Sequence, residues 1–194
     1  MVKVMMEITK NPFSPIELWE DTMVTVKEKD DKKKVDAKHY TIRYLVGESN
    51  DKRFVDGGDE NVAELSEKTL YLSPDVHRIT GDPFHYDESK VESITGSKMI
   101  SERTKQLIRH DFCDEHKTIE VVFESPGVEC CAMSKEQADK MHVPLQYIAG
   151  YLLGKKDGLV KLALSKTVVD SGEEYYDNIH IIPDSAIKQM ECLE

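Results

Sequence analysis

Apolar and polar residues alternate along much of this chain, most cleanly in "HYTIRYLVG" at 39–47. Tyr40, Ile42, Tyr44 and Val46 share one face, while His39, Thr41 and Arg43 share the other. That two-residue period predicts a strand with the first set in the core. The same reading predicts strands at "VKVMMEIT" (2–9), "TMVTVKE" (22–28) and "KTLYL" (68–72). "KEKDDKKKVDAK" (27–38) has mixed charge without apolar period and predicts a solvated hairpin turn or loop. The Pro-, Gly-, Asp- and Ser-rich stretch 73–98 predicts irregular chain.

Farther along, "KTIEVVFES" (117–125) predicts a strand with Ile119, Val121 and Phe123 on one face. "YIAGYLLG" (147–154) and "LVKLALSKTVV" (159–169) predict two strands joined by "KKDG", whose Gly158 suits a left-handed turn position. "IHIIP" (179–183) and "IKQMECL" (187–193) close the chain around a tight turn at 184–186. Only two segments read as helical. Ser101–Phe112 is expected to turn Leu107, Ile108 and Phe112 inward, and Ser134 with Gln137 forms a capping box. The pattern predicts an α+β protein, mostly β, of two small domains. Residues 1–100 form a β-rich first domain, 101–116 a helix and polar connector, and 117–194 a small antiparallel barrel with one short helix. "YTIRYLVG" (40–47) and "YIAGYLLG" (147–154) also form a weak internal echo.

Composition narrows the function classes. At 194 residues the chain can bury a core without a disulfide or metal staple. Its net charge of −11 is evenly spread, −5 over residues 1–100 and −6 over 101–194. Nonspecific nucleic-acid binding needs an excess of cations that neither half supplies. An acidic protein instead favours basic partners. No apolar run approaches the ~18 residues of a membrane span. The N-terminal stretch lacks a signal-peptide pattern, so a cytoplasmic chain is expected, with its four cysteines as free thiols.

The stretch "YIAGYLLGKKDGLVKLALSKTVVDSGEEYYDNIHIIPDSAIKQM" resembles small uncharacterised phage and mobile-element proteins with a "GYL…ALS…IPKSAI"-like ending. Gly150–Leu152, Ala163–Ser165 and Ile182–Ile187 carry the likeness, which spans about 117–193. The ending is also similar to the last strands of an Sm/SH3-like barrel. Sm proteins bind RNA through an Arg-Gly pair just before this turn, where the present chain has "IIPD". The resemblance therefore implies a fold and an origin, without RNA binding.

Three chemistries remain as candidates. "RHDFCDEHKTI" (109–119) offers His110, Cys113 and His116, with Cys130 completing a zinc set. A helix cannot put positions i, i+3 and i+6 on one side, so a helix end followed by a polar loop is the simpler reading, and no cofactor is expected. His39-x-Thr41-Ile42 and His116-x-Thr118-Ile119 both fit the His-x-Thr-apolar signature of two-histidine phosphoesterases. There one histidine would act as base, the other as acid, and the threonines would hold phosphate. Finally, Tyr147, Tyr151, Tyr175 and Tyr176 could form an aromatic contact face. The leading expectation is an acidic accessory protein of phage or mobile-element type that binds a protein partner. An inhibitor of a basic, nucleic-acid-handling host protein would fit the charge, with host cytoplasm as its place. The alternatives are the phosphoesterase on oligo- or cyclic nucleotides and a structural zinc protein. No membrane partner is expected, and homo-oligomerisation stays open.

Overall fold

The computed structural model describes residues 10–28, 31–56, 62–79, 81–110, 118–125 and 133–194. The expected strand at 2–9 lies outside them, as do Cys113, His116 and Cys130. The described residues form twelve strands: β1 (Ser14–Glu28), β2 (Asp31–Asp56), β3 (Val62–Ser73), β4 (Asp75–Arg78), β5 (Glu92–Thr95), β6 (Thr104–Gln106), β7 (Arg109–His110), β8 (Thr118–Glu124), β9 (Leu145–Lys156), β10 (Leu159–Val169), β11 (Glu174–Pro183) and β12 (Ile187–Leu193). Two short helices, α1 (Ser97–Arg103) and α2 (Lys135–Asp139), interrupt them. The protein is mostly β, as the alternation predicts.

The strands pair antiparallel in one sheet of order β5-β3-β2-β10-β9-β8-β12-β7. Off this path β1 lies on β2, β6 on β1, β4 on β9 and β11 on β10. Strands from both halves of the chain alternate in it. Thr41 of β2 stands opposite Ser165 of β10, and Asp75 of β4 opposite Ile148 of β9. The expected division into 1–100, a 101–116 connector and 117–194 is therefore not a boundary in the pairing. Each half satisfies backbone groups at the other's strand edges.

Two apolar clusters sit on opposite faces of β9. Tyr147, Ala149 and Tyr151 join Ile42, Tyr44 and Val122 in the first. Ile148 joins Ile119, Val121, Leu162, Leu164 and Ile182 in the second, with Leu152 packed against it. Burial on both faces explains why β9 reads as an almost unbroken apolar run. Of the predicted core face of β2, Ile42 and Tyr44 are fully buried, and Tyr40 and Val46 pack partly buried against the same cluster. The β9–β10 connection is a two-residue turn with positive φ at both Asp157 (55°) and Gly158 (73°), the hairpin geometry that matches strand twist. The capping box at Ser134 and Gln137 is present.

The helix expected over Ser101–Phe112 is corrected. The helix runs Ser97–Arg103, and Thr104 turns extended at φ −123°, ψ 122°. Leu107 is 5% exposed while Ile108 is 63% exposed. Opposed neighbours are what a strand requires, since successive side chains there point to opposite faces. This segment pairs with β1 on one side and β12 on the other: Leu107 N–H donates to Pro15 O, and Ile108 and Glu194 exchange backbone bonds.

Gly150 marks the tightest approach between β9 and β10. A Cβ there would lie 2.4 Å from the Ala163 carbonyl oxygen and 2.9 Å from Leu162 Cγ. Gly150→Ala is expected to lower stability by about 1–3 kcal/mol, because a backbone oxygen cannot move aside without shifting β10. Urea unfolding should show a reduced midpoint at unchanged slope.

Candidate functional site

The face of β2 turned from the first core builds a cavity. Alternation sets His39, Thr41 and Arg43 along its wall, and β1 adds Leu18, Trp19 and Glu20. β5 contributes Glu92 and Ile94, α1 contributes Ile100 and Arg103, and Thr104 closes the end. The cavity measures about 330 Å³, within the range of small-molecule sites.

Its polar groups are unequally satisfied. His39 Nδ1 and Thr167 Oγ1 lie 3.0 Å apart, which ties the imidazole to β10. Arg103 holds Asp21 at 3.5 Å and lies 5.5 Å from the Trp19 ring centroid, with Lys38 Nζ at 4.9 Å. Arg43 is different. Its side chain is 10% exposed, and Nη1 donates to the carbonyl of Ile42 at 2.9 Å. Its Nε is buried without a hydrogen-bond partner, as is Thr104 Oγ1. Burial depresses the Arg43 pKa, and the negative charge of Glu92 partly offsets that.

A second polar cluster is buried in the first core and fully paired. Glu120 accepts from Tyr44 Oη at 2.7 Å, Arg109 Nε at 2.8 Å and Arg109 Nη2 at 3.1 Å. Arg109 Nη2 also donates to the Phe13 carbonyl at 3.0 Å, and Glu191 lies 3.8 Å from Nε. Burial opposes the Arg109 charge, but the bonds to Glu120 and its negative charge outweigh it and hold the guanidinium above its ordinary pKa. Burial, then the Glu120 charge, pushes the Tyr44 phenol well up. Sequence reasoning missed Glu120. Its signal was a lone acid between Ile119 and Val121, on the strand face opposite them.

The four expected contact tyrosines divide. Tyr147 and Tyr151 are 1% and 3% exposed, so they are core residues rather than surface ones. Their alternation on a strand buried on both faces is the reason. Tyr151 Oη donates to Glu17 at 2.5 Å. Tyr175 is 41% exposed on β11. Tyr176 bonds Glu174 and packs edge-on against Tyr151, and its phenol is pushed up to about 12 by the Glu174 bond and by burial.

Of the two His-x-Thr segments, His39 and Thr41 line the cavity just described. Thr118 lines another, with Glu17, Lys105, Tyr151 and Lys166, and β10 and β9 stand between β2 and β8. Thr41 and Thr118 thus line two different cavities, and His116 lies outside the described residues. Of the zinc set, His110 Nε2 lies 3.2 Å from Glu194; Cys113, His116 and Cys130 are not described. Among the described residues no three His, Cys, Asp or Glu side chains cluster to hold a metal. Cys192 is disulfide-bonded, which corrects the expectation of four free thiols. Among the described residues no helix is long and apolar enough to cross a membrane.

Comparison with protein families, curated proteins and solved structures found no match.

The Arg109–Glu120 pair gives a direct test of what is structural here. Arg109→Met should destabilise by about 3–5 kcal/mol, since it strands a carboxylate that is 2% exposed. Tyr44→Phe should cost about 1.5–3 kcal/mol, the worth of one hydrogen bond to a charged group. In Arg109→Met/Glu120→Leu much of the Arg109→Met loss should return; chemical denaturation of all three variants measures it.

Proposed function

We propose that this chain works by binding, as an acidic accessory protein that docks on a basic protein surface through β11. The observation that carries this is the outer face of β11. Among the described residues β11 pairs only with β10, and it exposes Tyr175 (41%), Ile179 (51%) and Ile181 (58%). Natural edge strands are guarded by charge or kinks; here Glu174, Asp177, the terminal Pro183 and a positive φ at Asn178 guard the strand, and only Asp177 stands among the exposed apolar positions. Apolar and aromatic residues in a row beside acids suit a partner with an apolar patch ringed by cations.

The whole-chain charge of −11 favours the same partner. A nucleic-acid-handling protein presents such a surface, and an acidic chain can occupy it in place of phosphates. The second core lends support to the Sm/SH3-like barrel reading of the C-terminal part, because β8 to β12 all contribute to it. The resemblance of 117–193 to phage and mobile-element proteins points toward an accessory role as well.

Tagged full-length protein should retain one basic partner at fixed stoichiometry from a native lysate. Ile179→Asp/Ile181→Asp should abolish that capture, whereas Met23→Asp, an equally exposed site on the β1–β2 hairpin, should leave it intact. Capture indifferent to the β11 substitutions, or turnover of a cyclic-dinucleotide panel by the purified chain, would overturn the proposal.

A further inference from the structure

The cavity beside β2 holds two donors for which the described residues supply no acceptor, Arg43 Nε and Thr104 Oγ1. A buried guanidinium nitrogen without a partner costs more free energy than a neutral donor would. The chain keeps this one at a cavity wall rather than in packed core, where the missing acceptor can come from outside.

The geometry of Arg43 limits what that acceptor can be. A guanidinium takes a carboxylate side-on, through Nε and the neighbouring Nη, in two parallel hydrogen bonds. In Arg43 the other nitrogen, Nη1, is the one engaged, by the carbonyl of Ile42. Nε, on the side edge, makes no hydrogen bond and is covered from solvent, so an outside acceptor would have to take the place of what covers it. Glu92 Oε2 already lies 3.7 Å from Nε, beyond hydrogen-bond length, on a side chain 62% exposed. A carboxylate is thus drawn toward this edge without being seated on it, and it is free to swing outward.

Charge then selects a monoanion. Arg43 and Arg103 face Glu20 and Glu92 around the cavity, with Asp21 held by Arg103 and Lys38 over Trp19 at its rim. With Glu92 displaced toward solvent, three cations oppose two acids, and a single negative charge completes the balance. A doubly charged phosphate would overshoot it. The remaining wall is Leu18, Ile94 and Ile100, which asks for hydrocarbon.

We infer that the cavity bounded by β1, β2, β5 and α1 binds a small apolar monocarboxylate. Its carboxylate sits on the Nε edge of Arg43, near the Thr104 hydroxyl, and its hydrocarbon part lies against Leu18, Ile94 and Ile100. This site is independent of the β11 face.

Trp19 is the one tryptophan of the chain and lines the cavity, so its fluorescence reads occupancy directly. Full-length protein titrated with hexanoate should give a saturable change that 1-hexanol does not produce. Arg43→Met should raise the hexanoate Kd about tenfold or more, the loss of a charge-assisted pair. Glu92→Gln should bind hexanoate more tightly, because it removes the competing carboxylate at a side chain that is 62% exposed. That second variant decides the matter if Arg43→Met fails to fold. Absence of saturation, an equal response to 1-hexanol, tighter binding of hexyl phosphate than of hexanoate, or no tightening in Glu92→Gln would each overturn the assignment.

Discussion

One buried carboxylate fixes how this sheet folds back on itself. Glu120 of β8 accepts hydrogen bonds from Tyr44 of β2 and Arg109 of β7, although β10 and β9 separate β2 from β8 in the strand order. Those bonds can form only if the sheet curls until β2 and β8 face each other across the first core. Packing alone would tolerate many curvatures, since apolar contact is not directional. A carboxylate 2% exposed tolerates few, because a missing partner leaves an uncompensated charge in a low-dielectric interior. Arg109 extends the constraint to the Phe13 carbonyl, just before β1. The ion pair and its hydrogen bonds thus act beside the backbone bonds of Leu107 to Pro15 and of Ile108 to Glu194 in joining β7, β8 and the start of β1.

Much of the fold was legible because a half-buried strand writes its period into the sequence. The core face of β2, the Ile119–Val121–Phe123 face of β8, the Gly158 turn and the Ser134 capping box all follow from local rules. What failed was non-local. Ile108 looked like core beside Leu107, yet extended chain points neighbours apart, and only the partner strands β1 and β12 make residues 104–110 extended. Tyr147 and Tyr151 looked like a surface because β9 carries apolar residues on both faces and therefore hides its period. The interleaving of both halves in one sheet depends on pairings such as Thr41 with Ser165, more than a hundred residues apart, and no local pattern encodes them.

The candidate site was half legible. Alternation placed His39, Thr41 and Arg43 together on the less apolar face of β2, and they do line one wall. Their chemistry was not readable, since whether a polar face meets solvent, another sheet layer or an enclosed cavity depends on β5 and α1, which pack there from residues 92–104.

The two buried arginines of this sheet show how a structural charge can be told from a functional one. Both are mostly withdrawn from water, and both approach carboxylates. Arg109 presents its side edge to Glu120 at 2.8 and 3.1 Å, and a backbone carbonyl takes a further bond. Every element of that pair is internal, so its role ends with the fold. Arg43 lines a cavity and leaves its Nε without a hydrogen bond, its nearest acid being too far to bond and mostly in solvent. Conformational specificity explains the first arrangement better than the second, because an Nε without a hydrogen bond does little to hold a strand in place. A buried cation beside a cavity, with one donor that no described residue satisfies, is the arrangement that the proposed carboxylate would complete.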